Sequence, residues 1–483
     1  MTETYGNYVG GEWTESESGE TFEVRNPAEK DEVVARFQSS TTADTEDAIQ
    51  TAVDAQDEWA NTPGPERGAV LNRTAKNLEA RKEETTEALV NEEGKTYSEA
   101  SGEVQRAIDI FYYYAQKARD LGGTVKSPSA PNKELYTKRE PLGTVGLITP
   151  WNYPIAIPSW KLAPALATGN TVVIKPASAA PNVVRIVFEC LEEAGLPDGA
   201  ANFVTGSGSQ VGGPLAGHED IDGVSFTGST VVGTSVAQTA AEDLTRVQAE
   251  MGGKNPTVVM PSADVEEAAE ILGTGAFGTT GQSCTAASRA VVHEDIYDEF
   301  VEAMADYADS VDIGPGMDDP DMGPHVTESE LEGTLDYIEV AENEGAKLVA
   351  GGGVPEGEAY ENGYYVEPTV FADVESDMRI AQEEVFGPVL AVIPVEDFDE
   401  GLEVANDVDF GLSASVVTDD LSEANTFLDE VESGVAKVNE KTTGLEYHVP
   451  FGGFKDSSSE TWREQGDEGL EFYTVSRTFY VNY

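Results

Sequence analysis

The chain has 483 residues, and 90 Asp and Glu against 29 Lys and Arg give it a formal net charge of −61. A surface this acidic repels nucleic-acid phosphates and anionic lipid headgroups, and the sequence has no basic cluster to bind them, so nucleic-acid and membrane partners are excluded. With 39% hydrophobic residues the chain can bury a large core, and its length corresponds to about three domains.

The acidic residues are spread between apolar periodic segments and do not form one tail. This distribution favours a folded protein with a solvated acidic shell over a disordered chain. Salt screens the repulsion among such charges, so we expect a salt-rich cytoplasm. The residues from Met1 to Thr4 include an acid where a signal peptide would be basic, and no apolar stretch approaches the roughly 20 residues of a membrane span. The sequence therefore predicts a halophilic, cytoplasmic protein.

Apolar residues at helical spacing predict that the first third of the chain is mostly helical. The predicted helices span residues 44–60, 64–94 and 99–120. The third helix places four residues close to one face: Arg106, Ile110, Tyr113 and Lys117.

From residue 143 the pattern changes to short apolar runs that alternate with helical segments. The predicted strands span 145–149, 171–175, 201–205 and 223–226, and Pro181 and Gly195 mark the ends of one intervening helix. After Gly252 and Gly253 the alternation resumes with a strand at 257–260 and a helix over about 264–276, and it continues to about residue 440. This order predicts doubly wound parallel sheets in two α/β units.

Two short strand-like pieces, residues 135–137 and 479–481, lie outside both units. Isolated strands of this kind pair with exposed sheet edges. We therefore expect them to be arms that contact the sheet edge of another subunit.

The two cysteines differ in their surroundings. Cys284 stands in the polar, glycine-containing run 281–285, which predicts an accessible thiol, whereas Cys190 lies on an apolar helix face and is expected to be a buried small apolar residue. A nucleophilic thiol also needs a base and a group that stabilises an anion. Glu250 and Asn152 are candidates, although reasoning from one sequence does not bring them together.

Signals for phosphate and metal binding are weak. Residues 227–233 follow a predicted strand and open a helix, so their backbone N–H groups are placed to face a pyrophosphate. The run is not G-x-G-x-x-G, and a tight structural turn is the alternative. The histidines are scattered and no CxxC or HExxH spacing occurs, so no metal site is predicted.

Seven motifs follow one another along the chain: TPWNYP at 149–154, KPA at 175–177, FTGS at 226–229, EMGGK at 250–254, GQSC at 281–284, EVFGP at 384–388 and PFGG at 450–453. In this order and spacing the chain resembles the aldehyde dehydrogenase superfamily over nearly its whole length. Seven motifs in register make the resemblance specific, which no single one of them would.

The resemblance implies a mechanism. Cys284 would attack the aldehyde as a thiolate, and the Asn152 side-chain amide and the Cys284 backbone N–H would hold the oxyanion of the thiohemiacetal. After hydride transfer to a nicotinamide, Glu250 would be the general base that activates water to hydrolyse the thioester. Lys161 and Arg289 also match family positions, and we interpret them as structural, because buried charges more often organise their neighbours than react.

The resemblance also implies a site for a nicotinamide cofactor and no metal. Its expected residues are Thr149, Pro150, Trp151, Lys175, Ser178, Gly228, Ser229, Met251, Glu384 and Phe386. Lys175 and Glu384 would hold the two ribose rings. At the position of Ser178 the family often has a glutamate that would repel a 2′-phosphate, so the small neutral serine predicts NADP in preference to NAD. NAD is possible, and the alternative for Ser178 is a cap on the following turn.

The fold that the resemblance implies is the α/β aldehyde dehydrogenase fold, with a Rossmann-like cofactor domain, an α/β catalytic domain and a small β oligomerisation arm. We assign residues 1–122 and 142–250 to the dinucleotide-binding domain and 251–455 to the catalytic domain. Residues 123–141 and 456–483 form the arm and the C-terminal segment. A homo-oligomer, in the form of a dimer of dimers, is expected.

Residues 439–466 and 472–474 are most similar to the α-ketoglutaric semialdehyde (2,5-dioxopentanoate) dehydrogenases, in which Ser-Ser replaces the usual Ser-Gly. Succinic semialdehyde dehydrogenases commonly have an arginine where this chain has Trp160, which disfavours that alternative. A broad-specificity aldehyde dehydrogenase is a further alternative. Glu250 argues against a CoA-acylating enzyme. A non-catalytic binding protein on this scaffold is disfavoured because Cys284 and Asn152 are also present.

The expected substrate residues are those that match a tunnel in the family, together with polar candidates: Arg106, Tyr153, Ile157, Trp160, Ser283, Leu445, His448 and Phe451. We expect Arg106 to bind the distal carboxylate, because its planar guanidinium suits bidentate recognition. His448 and Ser283 are the other polar candidates for this contact. The alternative for Arg106 is a surface pair with Glu103 at helical spacing.

Overall fold

The computed structural model describes residues 2–483, and Met1, at which the predicted first domain begins, lies outside the described residues. Within residues 2–483 the chain forms fifteen α-helices: α1 (Thr42–Asn61), α2 (Gly64–Ala80), α3 (Lys82–Glu93), α4 (Tyr97–Lys117), α5 (Ala156–Thr168), α6 (Asn182–Glu193), α7 (Gly213–Gly217), α8 (Thr230–Glu242), α9 (Val265–Phe277), α10 (Tyr297–Ser310), α11 (Glu328–Glu344), α12 (Arg379–Gln382), α13 (Phe398–Asn406), α14 (Leu421–Glu430) and α15 (Gly469–Phe472).

The same residues form twenty-two strands: β1 (Thr4–Tyr5), β2 (Asn7–Val9), β3 (Glu12–Thr14), β4 (Thr21–Asn26), β5 (Glu29–Gln38), β6 (Val125–Lys126), β7 (Lys133–Pro141), β8 (Thr144–Ile148), β9 (Thr171–Lys175), β10 (Ala201–Phe203), β11 (Gly223–Thr227), β12 (Arg246–Glu250), β13 (Asn255–Val259), β14 (Ala287–His293), β15 (Lys347–Ala350), β16 (Thr369–Ala372), β17 (Val389–Val395), β18 (Phe410–Gly411), β19 (Ser413–Val417), β20 (Val435–Val438), β21 (Phe454–Lys455) and β22 (Thr474–Asn482).

The first large sheet has the strand order β12-β11-β8-β9-β10-β2-β3. The strands from β12 to β10 are parallel, and β2 joins β10 in the antiparallel direction. The central strands β8, β9 and β11 are buried along their whole length. Their nearly continuous apolar sequences are those expected of a parallel sheet covered by helices.

The second large sheet has the strand order β15-β16-β17-β14-β13-β19-β20, in which β15 is antiparallel and the other strands are parallel. Helices α9, α10 and α13 pack against it. The chain passes from the first sheet to the second at residues 251–254, between β12 and β13. The predicted α/β class, with helices alternating with parallel strands, is confirmed.

The two predicted arm strands pair with each other. Strand β22 lies antiparallel to β7, so that Phe479 is opposite Tyr136, and β6 completes a three-stranded sheet. The two rings stack with centroids 5.0 Å apart. The sequence located both strands but not their pairing, because pairing over such a distance along the chain leaves no local pattern.

One sequence prediction was wrong in the first third of the chain. Residues 64–94 form two helices, because Arg81, at φ −105° and ψ 15°, leaves the helical conformation between α2 and α3. Residues 4–38, which precede the first predicted helix, form the strands β1 to β5, and none of these was predicted. These strands are short or carry many charged residues, so their period-two pattern is weak.

Helices long and apolar enough to cross a membrane are not found in the part of the chain that the structure describes.

Candidate active site

The candidate site lies where the two large sheets are joined. Asn152 follows β8, Ser229 follows β11, and Glu250 is the last residue of β12, so all three are at the carboxyl ends of neighbouring parallel strands. Cys284 lies shortly before β14 of the second sheet. Ligands of open α/β sheets bind at these strand ends.

The loop that carries Cys284 has an unusual backbone. Thr279 and Thr280 have φ values of 54° and 57°, and Gly281 follows at 64°. A positive φ strains a β-branched residue, and such strain persists only where surrounding contacts enforce it. One of these contacts is the Thr280 hydroxyl, which donates a hydrogen bond to the Gly323 carbonyl at 3.0 Å. The loop therefore presents Cys284 in a fixed position.

Two cavities meet at Cys284. The first, of about 100 Å³, is mostly apolar and is called here the substrate cavity: it is lined by Arg106, Tyr153, Ala156, Ile157, Trp160, Thr227, Glu250, Met251, Ser283, Cys284, Thr285, Gly444, Leu445 and Phe451. The second, of about 210 Å³, is called here the cofactor cavity: it is lined by Pro150, Trp151, Asn152, Thr227, Gly228, Ser229, Met251, Gly252, Cys284, Glu330, Glu384 and Phe386. A thiol shared by both cavities can contact a molecule in each.

The structure places the two cysteines as their sequence surroundings predicted. Cys190 is fully buried in the core, and burial raises the pKa of its thiol to about 12. Cys284 is partly exposed. Burial, together with the negative charges of Glu384 and Glu250, raises the pKa of Cys284 far above its usual range. In the protein alone this side chain is therefore a thiol, and a nearby positive charge is needed to favour the thiolate.

Asn152 is buried beside the cysteine loop and is held from two directions. Its side-chain amide donates to the Gln282 backbone carbonyl at 3.0 Å, and the backbone carbonyl of Asn152 accepts from the Lys95 ammonium at 2.8 Å. Lys95 is paired in turn with Glu103 at 2.6 Å, whose second oxygen caps the start of α5 at Ala156. An amide has two N–H donors, so one remains for a ligand. The Cys284 backbone N–H also lacks a backbone acceptor among the described residues.

Glu250 is 2% exposed and accepts two hydrogen bonds, from the Ser458 hydroxyl at 2.9 Å and from the Gly453 backbone N–H at 3.1 Å. Burial raises the pKa of its carboxyl group well above the usual range, and the nearby negative charge of Glu464 adds to this effect. The two hydrogen bonds and Arg463 act in the opposite direction. A carboxyl group with a raised pKa is a suitable proton acceptor near neutral pH.

The cofactor cavity contains most of the predicted cofactor residues. Helix α8 begins beside it, and the Ser229 hydroxyl does not cap that helix, so its first N–H groups are free to bind an anion. A Cβ atom at Gly252 would collide with the Glu384 carboxylate, which accepts the Gly253 N–H at 2.9 Å. This cradle, whose lining includes Phe386, fits an elongated ligand with a phosphate group.

Thr149, Lys175 and Ser178 do not line this cavity. Thr149 and Lys175 are buried at the ends of the neighbouring strands β8 and β9. Burial lowers the pKa of Lys175 to about 8, and its ammonium donates to the Pro176 carbonyl at 3.0 Å. Ser178 is exposed, and its hydroxyl donates to the Gly206 carbonyl at 3.3 Å. These residues lie beyond the cavity, along the same edge of the sheet.

Seven of the eight predicted substrate residues line the substrate cavity. His448 does not: its side chain is 54% exposed, and its imidazole lies 3.7 Å from the Glu446 carboxylate. The structure therefore does not support His448 as a polar contact for the substrate carboxylate. Its place in a surface loop, where side chains next to one another point in different directions, explains the difference.

Arg106 lies in the wall of the substrate cavity. Its guanidinium donates to the Leu445 carbonyl and to the Gln465 side-chain oxygen, the latter at 2.9 Å, and stacks over the Trp160 ring at 5.8 Å. The expected alternative, a surface pair with Glu103, is wrong, because Glu103 is buried and pairs with Lys95. Among the described residues Arg106 forms no ion pair, and only two of its five N–H donors are bound to protein.

Several residues at the site were not predicted from the sequence. Glu330, near the start of α11, lines the cofactor cavity, and Thr285 lines the substrate cavity. Glu464 is buried, forms an ion pair with Lys161 and accepts the Trp160 indole N–H at 2.8 Å. Glu330 lies far along the chain from the motifs. Thr285 and Glu464 lie within the runs 281–285 and 439–466, but nothing in their local sequence shows that their side chains face the site.

The chain is similar to known proteins over nearly its whole length. The model of the aldehyde dehydrogenase family matches residues 13–479. The chain is 65% identical over 483 residues to an α-ketoglutarate semialdehyde dehydrogenase of Haloferax volcanii, covering 100% of both chains. It is 45% identical over 479 residues to an α-ketoglutaric semialdehyde dehydrogenase of Bacillus subtilis, covering 99% of this chain and 98% of the relative.

A crystal structure of betaine aldehyde dehydrogenase from Staphylococcus aureus in complex with NAD⁺ is similar to this fold. Its TM-score is 0.96 at 36% sequence identity, and the match covers 99% of this chain and 94% of the other.

Proposed function

This chain belongs to the aldehyde dehydrogenase family, and we propose that it oxidises α-ketoglutaric semialdehyde to 2-oxoglutarate with a nicotinamide cofactor. The observation that carries the proposal is the position of Cys284 between two cavities, one with an unpaired guanidinium and the other with a free helix N-terminus. The relatives of this substrate class match the chain over its full length.

The first half of the reaction uses Cys284 and two N–H donors. The sulfur bonds to the aldehyde carbon as the thiol proton leaves to water in the cavity, and the carbonyl π electrons move to the oxygen. The free N–H of Asn152 and the Cys284 backbone N–H are the donors that hold this oxyanion. An oxidised nicotinamide, when bound in the cofactor cavity, supplies a hydride acceptor and a positive charge beside the thiol. The acyl group then remains on Cys284 as a thioester.

The second half is hydrolysis. Glu250 takes a proton from water as the water oxygen bonds to the acyl carbon, and the carbon–sulfur bond breaks to release the carboxylic acid and the Cys284 thiolate. The buried carboxylate of Glu250 lines the same cavity as the thiol, which supports this role. A CoA-acylating enzyme has no need of this base, and for that reason we favour hydrolysis.

For the cofactor we propose that the first turn of α8 would hold the pyrophosphate, Trp151 and Phe386 the nicotinamide end, and Glu384 and Lys175 the ribose rings. The free N–H groups and positive dipole end of α8 support the first contact. The edge-to-face pair of Trp151 and Phe386, with centroids 5.4 Å apart, supplies an apolar wall for the nicotinamide end.

We further propose that NADP is preferred over NAD. Lys175 is buried without a carboxylate partner among the described residues, so a 2′-phosphate would supply its missing counter-charge. Ser178 is neutral and exposed at the same strand end, which leaves room for that phosphate. We expect kcat/KM to be higher with NADP, and Ser178→Glu to shift the preference towards NAD.

The measurement is kcat/KM with each cofactor for the parent and the variant. Ser310→Glu, which adds the same charge on the exposed end of α10, is the matched control and leaves the cofactor ratio unchanged. Equal or higher efficiency with NAD in the parent chain contradicts the preference. An unchanged ratio in Ser178→Glu contradicts the role of this residue.

For the substrate we propose that Arg106 binds the distal carboxylate of the semialdehyde. An unpaired guanidinium in a mostly apolar cavity attracts a carboxylate strongly, and its positive charge opposes the background field of a chain with a net charge of −61. We expect Arg106→Met to raise KM for α-ketoglutaric semialdehyde at least tenfold, a loss of about 1.4 kcal/mol. The KM of an unsubstituted alkanal is expected to stay unchanged.

The matched control is Arg119→Met, which removes the same charge from an exposed position just beyond the end of α4. It should leave both KM values as they are. Equal effects of Arg106→Met on the two aldehydes would remove Arg106 from substrate recognition and would favour a broad-specificity enzyme.

We also propose that the chain forms a homo-oligomer, as a dimer of dimers, through the β6-β7-β22 sheet. Tyr480 and Tyr483 are 77% and 71% exposed on or just beyond its edge strand β22, and large exposed side chains on an open edge favour pairing with another chain. The cytoplasmic location stays a prediction from the composition.

A further inference from the structure

Ser458 is the side chain that donates a hydrogen bond to Glu250. Its hydroxyl lies 2.9 Å from one carboxylate oxygen, while the other oxygen accepts the Gly453 backbone N–H at 3.1 Å. The Ser458 oxygen also accepts the Glu460 N–H at 3.2 Å. Because a backbone N–H fills an acceptor position of this oxygen, the hydroxyl proton is directed to Glu250.

The segment that carries Ser458 is attached to the end of β12 on both sides of Glu250. The Met251 N–H donates to the Ser457 carbonyl at 2.8 Å, and the Ser459 N–H donates to the Ala249 carbonyl at 3.0 Å. Glu250 and Ser458 themselves form an isolated antiparallel bridge. The Ser458 oxygen is therefore fixed relative to the carboxylate, and the hydrogen bond does not depend on a mobile loop.

We propose that Ser458 is a positioning residue that keeps the Glu250 carboxylate ionised and oriented for thioester hydrolysis. The proposal rests on the proposed function of Glu250 as the base. It assigns to the Ser-Ser sequence a task in the second half of the reaction, and it assigns none to Ser458 in the attack of Cys284.

The charges around Glu250 show why a single hydroxyl matters there. Glu464, from the segment after β21, faces Glu250 with a negative charge, although Lys161 of α5 pairs with it. Arg463 contributes a positive charge, and the Cys284 thiol lies across the substrate cavity. Burial and Glu464 favour the protonated acid, and the hydrogen bonds from Ser458 and Gly453 oppose them.

These charges predict how the pKa of Glu250 changes when the Ser458 hydroxyl is removed. A donor to the carboxylate stabilises its charged form, so removing the Ser458 hydroxyl raises the pKa of Glu250 further. At a given pH less of the base is then ionised. Loss of a hydrogen bond to a buried charged group corresponds to a shift of about one pH unit or more. The acid limb of the pH–rate profile for hydrolysis, on which the rate rises as Glu250 ionises, therefore moves to higher pH by this amount. The pH dependence of thioester formation stays the same.

The experiment uses the full chain with its cofactor and isotopically labelled α-ketoglutaric semialdehyde. Acid quenching at different times gives the amount of label bound to protein, and its decay measures hydrolysis directly. This is repeated across pH for the parent, Ser458→Ala and Ser458→Thr. Ser459→Ala is the matched control, because Ser459 lies on the same segment and its hydroxyl oxygen accepts the Ala249 N–H instead of contacting Glu250.

We expect the acid limb for decay of the protein-bound label to lie about one pH unit higher in Ser458→Ala than in the parent. In Ser458→Thr and in Ser459→Ala it should lie at the parent's position. Label should bind to all four proteins at the same rate. An unmoved limb in Ser458→Ala, or an equal movement in Ser459→Ala, overturns the proposal. If the parent never binds label, the proposed function itself fails, which is distinct from a failure of this inference.

Discussion

The Cys284→Ala variant is expected to lose aldehyde oxidation by at least about 10³-fold in turnover number, because the thioester can form only on a nucleophile at the junction of the two cavities. Among the described residues that line both cavities, the others are Thr227 and Met251, and neither is a comparable nucleophile. The measurement is the steady-state rate of cofactor reduction at saturating aldehyde.

Cys190→Ala is the matched control for this variant. It removes the second thiol from a fully buried position in α6, so we expect a loss of roughly 1 kcal/mol in the free energy of unfolding and a nearly unchanged turnover number. Substantial turnover in Cys284→Ala would exclude the covalent mechanism. Inactivity of both variants, with both still folded, would contradict the assignment of the nucleophile to one thiol.

The strands that hold the site could be predicted from the sequence. The apolar runs at β8, β9 and β11 are buried on both faces and end at turns, so their local pattern is strong, and the structure places them within one or two residues of the expected bounds. Strands β4 and β5 were missed, because exposed charged positions hide their alternation. The break at Arg81 was missed because neither a proline nor a glycine marks it.

The nearness of Cys284, Asn152 and Glu250 is a result of tertiary structure. Each residue follows or ends a different strand or precedes one, and only the sheet order brings them together. The motifs identified these residues through resemblance, but they gave no partner for the Glu250 carboxylate. Burial is the main cause of the raised pKa of Glu250, and Ser458 and Glu464, which add opposite contributions to it, are more than two hundred residues away along the chain.

Two of the three polar substrate candidates, Arg106 and His448, show how far the sequence can place a side chain. Arg106 lies in a long helix whose face is fixed by buried neighbours, so its position could be argued from helical spacing. The sequence could not show that Glu103 pairs with Lys95 instead of Arg106. His448 lies in an irregular segment, where no periodicity fixes the direction of a side chain, and the structure turns it to solvent. Of these two residues, the one in a regular helix lies where it was expected, and the one in an irregular segment does not.

The Glu250→Gln variant is expected to form the thioester and to stop there. Glutamine keeps the shape of the side chain and can still accept the Gly453 N–H through its carbonyl oxygen, but it cannot take a proton from water. Rapid mixing of the variant with aldehyde and oxidised cofactor should give one burst of reduced cofactor, close to one equivalent per site. Steady turnover should fall by at least about 10²-fold.

Glu460→Gln is the control, because it removes an exposed carboxylate from the same segment as Ser458 without touching Glu250. It should show both burst and turnover. If Glu250→Gln turns over at the rate of the parent, Glu250 is not the base. If it gives no burst, Glu250 is required before the thioester forms, and the assignment of this carboxylate to the second half of the reaction is wrong. The burst therefore shows which half of the reaction needs Glu250, and the steady rate shows whether Glu250 is the base.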